Sequence, residues 1–206
     1  MTRSEALQTI RAHKPLLHCI SNLVTANDCA NLALAVGASP IMAQAPQEMA
    51  DIAVLASAVV LNTGTPDEAK FTAARTAGAT ANRRSIPVVL DPVGVGASQF
   101  RQSIAAEVLR EVPVTVLRCN ASELQALSGL AQVSRGVDAG KTLPPEALRP
   151  LAEQFAAQHH CVAAVTGAED IVTDGKTTHI LRNGTPLLRR VTGAGCMLSV
   201  LTAAFV

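Results

Sequence analysis

Aromatic side chains are almost absent from this chain of 206 residues, which has four phenylalanines and neither tryptophan nor tyrosine. Surfaces that bind single-stranded nucleic acid stack bases on such rings, so this function is disfavoured. An excess of one charge is also missing, because 17 basic and 16 acidic residues leave a net charge of +1. We therefore expect no nucleic-acid partner.

Long apolar segments are missing as well. The longest apolar run, from Ala53 to Leu61 and interrupted by Ser57, is far too short to cross a bilayer. The first 14 residues carry charges along their length and contain no secretory apolar core. The sequence therefore predicts no association with a membrane.

Cysteine pairs with the spacing of a redox or zinc motif are absent. The five cysteines are odd in number and lie mostly inside apolar segments, at Cys19, Cys29, Cys119, Cys161 and Cys196. This usage argues against a disulfide framework and is typical of a reducing compartment, so we expect a cytoplasmic protein. The histidines form no metal-ligand set, and the P-loop and H-E-x-x-H motifs are missing.

Apolar residues are abundant, at 49% of the chain against 16% charged residues. This composition and length predict one folded domain with a sizeable core. Short apolar runs that read as strands alternate with helical patterns through most of the chain. The predicted strands are 15–20, 39–42, 58–62, 86–90, 112–117 and 161–165, and the predicted helices are 4–12, 27–36, one from about 46, 67–82, 99–111, 121–127 and one from near 150 to 159. This alternation predicts an α/β sandwich with a mostly parallel central sheet.

The pattern changes in the last third of the chain. The segment 131–145 contains glycine, proline and charges and predicts a surface excursion. The runs 171–173 and 177–181 flank Asp174-Gly175, which is typical of a β-hairpin and adds antiparallel pairing. A further strand is expected over 187–191, directly before a glycine loop.

Polar residues follow the predicted strands where each strand ends. In an open parallel sheet, ligands bind at the carboxyl ends of the strands. The residues at these ends are Asn22, Asn62, Asp91, Asn120, Thr166 and the loop 193–196. We therefore expect a ligand site along this edge.

Three charged side chains at this edge allow two interpretations each. Asp91 suits Mg²⁺, directly or through water, although an aspartate before proline is also a common turn residue. Glu123 adds a second acidic group for the metal or its waters, but with Asn120 it also fits a capping box at a helix start. Arg118 is either a phosphate ligand or a solvated surface cation.

The segment Gly193-Ala194-Gly195-Cys196 opens a final apolar helix. Glycines permit close approach of a ligand, and the N–H groups and dipole of a helix start attract phosphate. Cys196 would lie in the first turn, where the dipole lowers a thiol pKa and favours a thiolate base. The alternative is a plain loop before a buried helix, with Cys196 as a small core residue.

Several of these segments together resemble the hydroxyethylthiazole kinase family. The resemblance follows the family's order over nearly the whole chain, in 18–22, 27–31, 37–43, 91–97, 120–123, 164–167 and 191–196. It implies a three-layer α/β/α sandwich of the ribokinase-like type. It also implies phosphoryl transfer from ATP to the primary alcohol of 4-methyl-5-(2-hydroxyethyl)thiazole, a step of thiamine salvage.

The resemblance also implies roles for individual residues. Substrate binding falls on Met42 and Gly193, ATP binding on Arg118 and Thr166, Mg²⁺ binding on Asp91 and Glu123, and the catalytic position on Cys196. Many ribokinase-like enzymes have an aspartate base where this chain has the cysteine. The family further implies a homotrimer with the thiazole site near the subunit boundary.

The chain departs from the family pattern at three places. Ala194 replaces a threonine that is common in this loop, and Cys119 stands where glycine is frequent. Family chains continue past the helix that carries the cysteine, so we expect residues 1–206 to be a single, C-terminally truncated kinase domain. Two alternatives stay open: another ribokinase-like kinase, such as a hydroxymethylpyrimidine (phosphate) kinase, and a ligand-binding protein without turnover.

Overall fold

The computed structural model describes residues 2–130 and 143–206. Within these residues, eight strands form one sheet: β1 Leu16–Ile20, β2 Ser39–Ile41, β3 Ala58–Asn62, β4 Val88–Asp91, β5 Val116–Asn120, β6 Val162–Thr166, β7 Asp170–Thr173 and β8 Thr178–Leu181. The α-helices of the same part are α1 Arg3–His13, α2 Ala26–Val36, α3 Met49–Ala53, α4 Glu68–Arg83, α5 Gln99–Glu111, α6 Ala121–Leu127, α7 Pro145–His159 and α8 Ala194–Phe205. Most of the predicted surface excursion, residues 131–142, lies outside the described residues.

The sheet has the order β2-β1-β3-β4-β5-β6-β7-β8. The six strands from β2 to β6 are parallel, whereas β7 and β8 form an antiparallel hairpin on β6. The predicted mostly parallel sheet and the hairpin are therefore confirmed. The register brings the last residues of neighbouring strands side by side, because Asn62 pairs with Asp91 and Asn120 with Thr166.

Helices cover both faces of the sheet. On β3, Ala58 and Val60 face a core shared with α1, α2 and α8, whereas Val59 and Leu61 face a core shared with α3 to α7. This alternation follows from the two-residue period of a strand, and the burial of both faces explains the continuous apolar runs. The fold is therefore a three-layer α/β/α sandwich, which confirms both the α/β sandwich predicted from the alternation and the layering implied by the resemblance. No helix in the described residues is both long and apolar enough to span a bilayer.

The predictions for the start of α7 and for the segment 187–191 are wrong. α7 begins at Pro145, and Pro150 lies inside it. Proline removes a hydrogen bond to the carbonyl of Glu146, but Pro150 and Glu146 are both exposed, so water can serve that carbonyl. The residues 187–191 do not form a strand: Pro186–Arg190 is a 3₁₀ turn, exposed throughout and paired with no described strand.

Strand β5 also differs from the prediction, since it begins at Val116 and runs to Asn120. Pro113 cannot donate to a ladder, so the chain enters the sheet only after it. As a consequence, Arg118 is a strand residue.

Close helix packing explains one glycine in the interior of α4. A Cβ at Gly78 would lie 2.6 Å and 2.8 Å from the two γ-methyl groups of Val112. The helix thus lies directly against the residue that follows α5. The backbone of Gly78 is ordinary helix, so its conformation does not require glycine. The lack of space for a Cβ does.

Candidate active site

The centre of the site is Asp91, the last residue of β4, whose side chain is fully buried (0% exposed). Its Oδ2 accepts hydrogen bonds from Asn62 Nδ2 at 2.9 Å and from Ser199 Oγ at 2.8 Å. Its Oδ1 lies 3.5 Å from Nη1 of Arg118. Burial raises the pKa of Asp91, and the Arg118 charge and the two hydrogen bonds offset part of that rise.

Two asparagine amides connect Asp91 to Cys196. Asn62 Oδ1 accepts a hydrogen bond from Asn22 Nδ2 at 3.2 Å, and the same Nδ2 lies 3.3 Å from Cys196 Sγ. Asn22 Oδ1 in turn accepts the backbone N–H groups of Val24 and Thr25. The ends of β1, β3 and β4 and the start of α8 are therefore held in one network.

The predicted thiolate character of Cys196 is wrong. Burial raises the pKa of this thiol, and the nearby charge of Asp91 raises it further, against hydrogen bonds from Asn62, Thr25 and Asn22. The helix dipole alone favours a thiolate, but Cys196 is buried, as the alternative interpretation of a small core residue predicts. Cys196 therefore stands in the site as a neutral thiol.

Arg118 is a buried residue, 8% exposed, so its interpretation as a solvated surface cation is wrong. Its Nη2 donates to Thr166 Oγ1 at 2.7 Å, and Thr166 also bonds to the carbonyl of Cys119. A Cβ at Gly195 would lie 2.5 Å from Nη1 and 2.7 Å from Nη2, so the guanidinium packs flat against this glycine. A cation thus meets the positive end of α8, an arrangement that favours a bound anion.

Gly193 caps the start of α8 with a φ of 79°, which lies in the left-handed region. A Cβ there would also clash with the side chain of Thr25, which is buried beneath it. The loop therefore needs glycine both for its backbone and for its contact with the turn that follows β1.

Glu123 has the predicted capping role and a second contact. Its Oε2 accepts the N–H of Asn120 at 2.8 Å, while Asn120 caps the backbone N–H of Glu123. Its Oε1 accepts the N–H of Gly94 at 2.9 Å, which ties α6 to the loop after Asp91. Burial and the charge of Asp91 raise the pKa of Glu123 to about 7.

The two acidic residues fit Mg²⁺ through water better than by direct contact. Both carboxylates are buried and every oxygen already has a polar neighbour within 3.5 Å. Among residues 2–130 and 143–206, no group of three or more His, Cys, Asp or Glu side chains could hold a metal alone. Mg²⁺ usually retains several waters and binds phosphates with only one or two carboxylates, which agrees with this donor set.

Met42 lies apart from these residues. It follows β2, the strand at the edge of the sheet, and packs against the same apolar core as Cys196. The segment after it is held by the buried His18, whose Nε2 lies 3.1 Å from the carbonyl oxygen of Ala43. The structure thus brings together five of the predicted site residues: Asp91, Arg118, Thr166, Gly193 and Cys196. Glu123 is connected to them through Gly94. Met42 packs on the same face of the sheet, in a neighbouring position.

The sequence assigns no role to Asn62 or Ser199 of this network, or to Lys70, a buried residue of α4. For Asn62 the sequence indicates only a polar residue at the end of a strand. Ser199 carries a usable signal, because it lies three residues after Cys196 on a helix and therefore shares its face. Lys70 carries none, since nothing in an alanine-rich helix indicates that this lysine is buried.

The three-layer fold is of the ribokinase-like type, which solved structures of kinases share. A solved adenosine kinase from Sinorhizobium meliloti superimposes with a TM-score of 0.51 at 19% identity, covering 78% of this chain and 46% of that one, and shows the fold alone. A solved hydroxyethylthiazole kinase from Pyrococcus horikoshii OT3 superimposes with a TM-score of 0.87 at 41% identity, covering 98% of this chain and 74% of that one.

Sequence comparison gives the family. A profile described as the hydroxyethylthiazole kinase family matches residues 7–206. Relatives named hydroxyethylthiazole kinase include one from Clostridium beijerinckii, 47% identical over 97% of this chain and 73% of its own length. Another, from Nitratidesulfovibrio vulgaris strain DP4, is 48% identical over 96% of this chain and 73% of its own length. The chain belongs to the hydroxyethylthiazole kinase family.

Proposed function

We propose that this chain phosphorylates the primary alcohol of 4-methyl-5-(2-hydroxyethyl)thiazole with ATP, in thiamine salvage. Family membership supports the reaction. The observation that carries the site is the network that joins Asp91 and Cys196 through Asn62 and Asn22 beneath a glycine-rich helix start. It places polar groups and an anion-attracting helix end at one edge of the sheet.

ATP binds on the side of Arg118 and Thr166 in this proposal. The buried guanidinium and the first N–H groups of α8 attract the phosphates, because both present positive charge to the same place. Most of the rate acceleration then comes from positioning and from preorganised charge.

The thiazole alcohol lies between Met42 and Gly193, with its hydroxyl near Cys196. A neutral thiol is a weak base, but the loose transition state of phosphoryl transfer requires little proton removal. Cys196 therefore serves mainly to orient the hydroxyl. Asn22 fixes the thiol from the other side.

Asp91 and Glu123 are the residues that would hold Mg²⁺, through water. When bound, the ion would supply positive charge for the phosphoryl oxygens. Asp91 lies at the carboxyl end of β4, where Arg118 pairs with it, and Glu123 lies at the start of α6, where it accepts the N–H of Gly94.

We also propose a homotrimer, a single kinase domain over residues 1–206 and a cytoplasmic location. Leu23 is 82% exposed and Val24 is exposed too, directly after the site residue Asn22. Such an apolar pair beside the site suits a subunit contact. All five cysteines are free thiols, which suits a reducing compartment.

The test is phosphorylation of hydroxyethylthiazole by this 206-residue chain with Mg-ATP, followed as ADP release and by mass of the product. A hydroxymethylpyrimidine alcohol is the matched control substrate. We expect turnover with the thiazole and at least tenfold lower kcat/KM with the pyrimidine. Preference for the pyrimidine alcohol would contradict the proposal, as would calorimetric binding of thiazole without any ADP release.

A further inference from the structure

Lys70 is a buried cation in the first turn of α4. The residue is 7% exposed, and its Nζ donates to the carbonyl oxygen of Gly64 at 2.5 Å. Its backbone N–H is capped by the carboxylate of Asp67 at 2.7 Å. The ammonium group therefore points back along the helix to the loop that follows β3.

The local structure does not favour a lysine at this place. Burial lowers the pKa of Lys70 to about 8, because water no longer solvates its charge. The first turn of a helix is also its positive end, which repels a cation. An apolar side chain such as methionine would fill the same space without either cost.

The carbonyl that Lys70 holds belongs to a loop that positions the site. The N–H of Gly64 donates to Asn62 Oδ1, and Thr65 Oγ1 accepts the N–H of Leu23 at 3.1 Å. Leu23 follows Asn22, the residue in contact with Cys196. The ammonium thus fixes the 63–65 loop, and that loop fixes the turn beneath Gly193.

The charge of Lys70 acts on the same site. The charged and titratable groups that influence it are Asp67 at the cap of α4, Asp91 on β4, Arg101 on α5 and Cys196 on α8. With Arg118, Lys70 therefore gives the site a second buried cation. Negative charge on a transferring phosphoryl group would offset the cost of burying both.

We propose that Lys70 is a positioning residue for phosphoryl transfer: its ammonium holds the Gly64 carbonyl, and through the 63–65 loop it fixes Asn22 against Cys196. This inference rests on the proposed kinase function. It adds a residue that the sequence did not indicate.

The kinetic test compares Lys70→Met, Lys70→Arg and the matched control Lys176→Met, at an exposed lysine of the β7–β8 turn. We expect kcat of Lys70→Met to fall about tenfold or more, with both KM values within threefold of wild type. Lys70→Arg should recover kcat to within about fivefold of wild type, and Lys176→Met should match wild type. A loss below fivefold in Lys70→Met, or an arginine variant as slow as the methionine variant, overturns the proposal.

Amide hydrogen exchange tests the positioning without turnover. In ligand-free Lys70→Met we expect the amides of Leu23, Val24 and Gly64 to exchange about tenfold faster, while those of β5 and β6 stay unchanged. If the three amides keep their wild-type rates, the proposal is wrong. If wild type does not phosphorylate the thiazole, the proposed function fails, and exchange alone decides the role of Lys70.

Discussion

The thiol of Cys196 lies in the same hydrogen-bond network as Asp91 but carries no charge of its own. We expect Cys196→Asp to retain or improve kcat, because a carboxylate can accept the hydroxyl proton and the network already contains amide donors for it. Asp91→Ala should lower kcat by about a hundredfold or more. Steady-state kinetics with thiazole and Mg-ATP measure both.

The Asp91→Ala variant needs a second variant as a control, one in which the side chain keeps the size of aspartate. Asp91→Ala leaves the Arg118 guanidinium buried without its carboxylate, which is destabilising in itself. Asp91→Asn retains the size of the side chain, so a comparable loss of kcat in a folded Asp91→Asn separates chemistry from stability. A Cys196→Asp enzyme that is folded, binds both substrates and has no turnover would contradict the role given to Cys196.

Gly195 gives a second prediction for a single residue. In Gly195→Ala, the new methyl group would displace the Arg118 guanidinium, and we expect KM for ATP to rise about tenfold or more. Gly184→Ala is the control, because its nearest neighbour would be a carbonyl oxygen at 4.0 Å. Equal KM values for ATP in the two variants would mean that ATP binding by Arg118 does not depend on its contact with Gly195.

Helix α4 predicts a pH dependence of stability. The Lys70 pKa is about 8 in the folded protein and 10.5 is its ordinary value, so between these values the unfolded chain binds more protons. Stability from this group therefore rises with pH across that window, and below pH 8 the buried charge is destabilising. Relative to Lys70→Met, wild type should gain roughly 2 kcal/mol between pH 7.5 and 9.5.

Urea unfolding of the two proteins at both pH values measures this difference. The cysteines, whose buried thiols have raised pKa values, shift stability in the opposite direction, but they do so in both proteins and cancel. A difference in unfolding free energy that stays constant with pH would show that Lys70 is not the buried cation described.

Most elements could be predicted from the sequence because their signals are local. The strand Ala58–Asn62 is a continuous apolar run, and the helix Ala121–Leu127 is bounded by its own capping box. The predictions for the start of α7 and for the segment 187–191 were wrong. Whether a helix tolerates a proline, and whether a segment pairs as a strand, depends on the neighbouring elements and the solvent around it. Local pattern cannot supply that information.

Part of the site could also be predicted from the sequence, namely the part that follows from the order of the strands. The polar ends of parallel strands meet by topology alone, so the proximity of Asn62 and Asp91 follows from the fold. Burial does not, because it depends on every layer that packs around a side chain. Three features of the site were not predicted because they depend on burial: the neutral thiol of Cys196, the buried guanidinium of Arg118 and the buried ammonium of Lys70.

For the whole molecule, the exposed pair Leu23 and Val24 predicts assembly. We expect wild type to sediment as a trimer and Leu23→Glu to sediment as a monomer, because the charge would be buried at the contact. Leu55→Glu, at another exposed leucine, should remain trimeric. A monomeric wild type, or a Leu23→Glu trimer as stable as wild type, contradicts the proposed contact.

The close packing of Gly78 against Val112 limits how this protein can be engineered for heat tolerance. Replacing a glycine inside a helix with alanine is a standard route to a higher melting temperature, since glycine costs about 1 kcal/mol there. In α4 the added methyl would occupy the space of the Val112 methyl groups. The gain becomes available only when both positions change together, so a library that samples one substitution at a time would discard the useful pair.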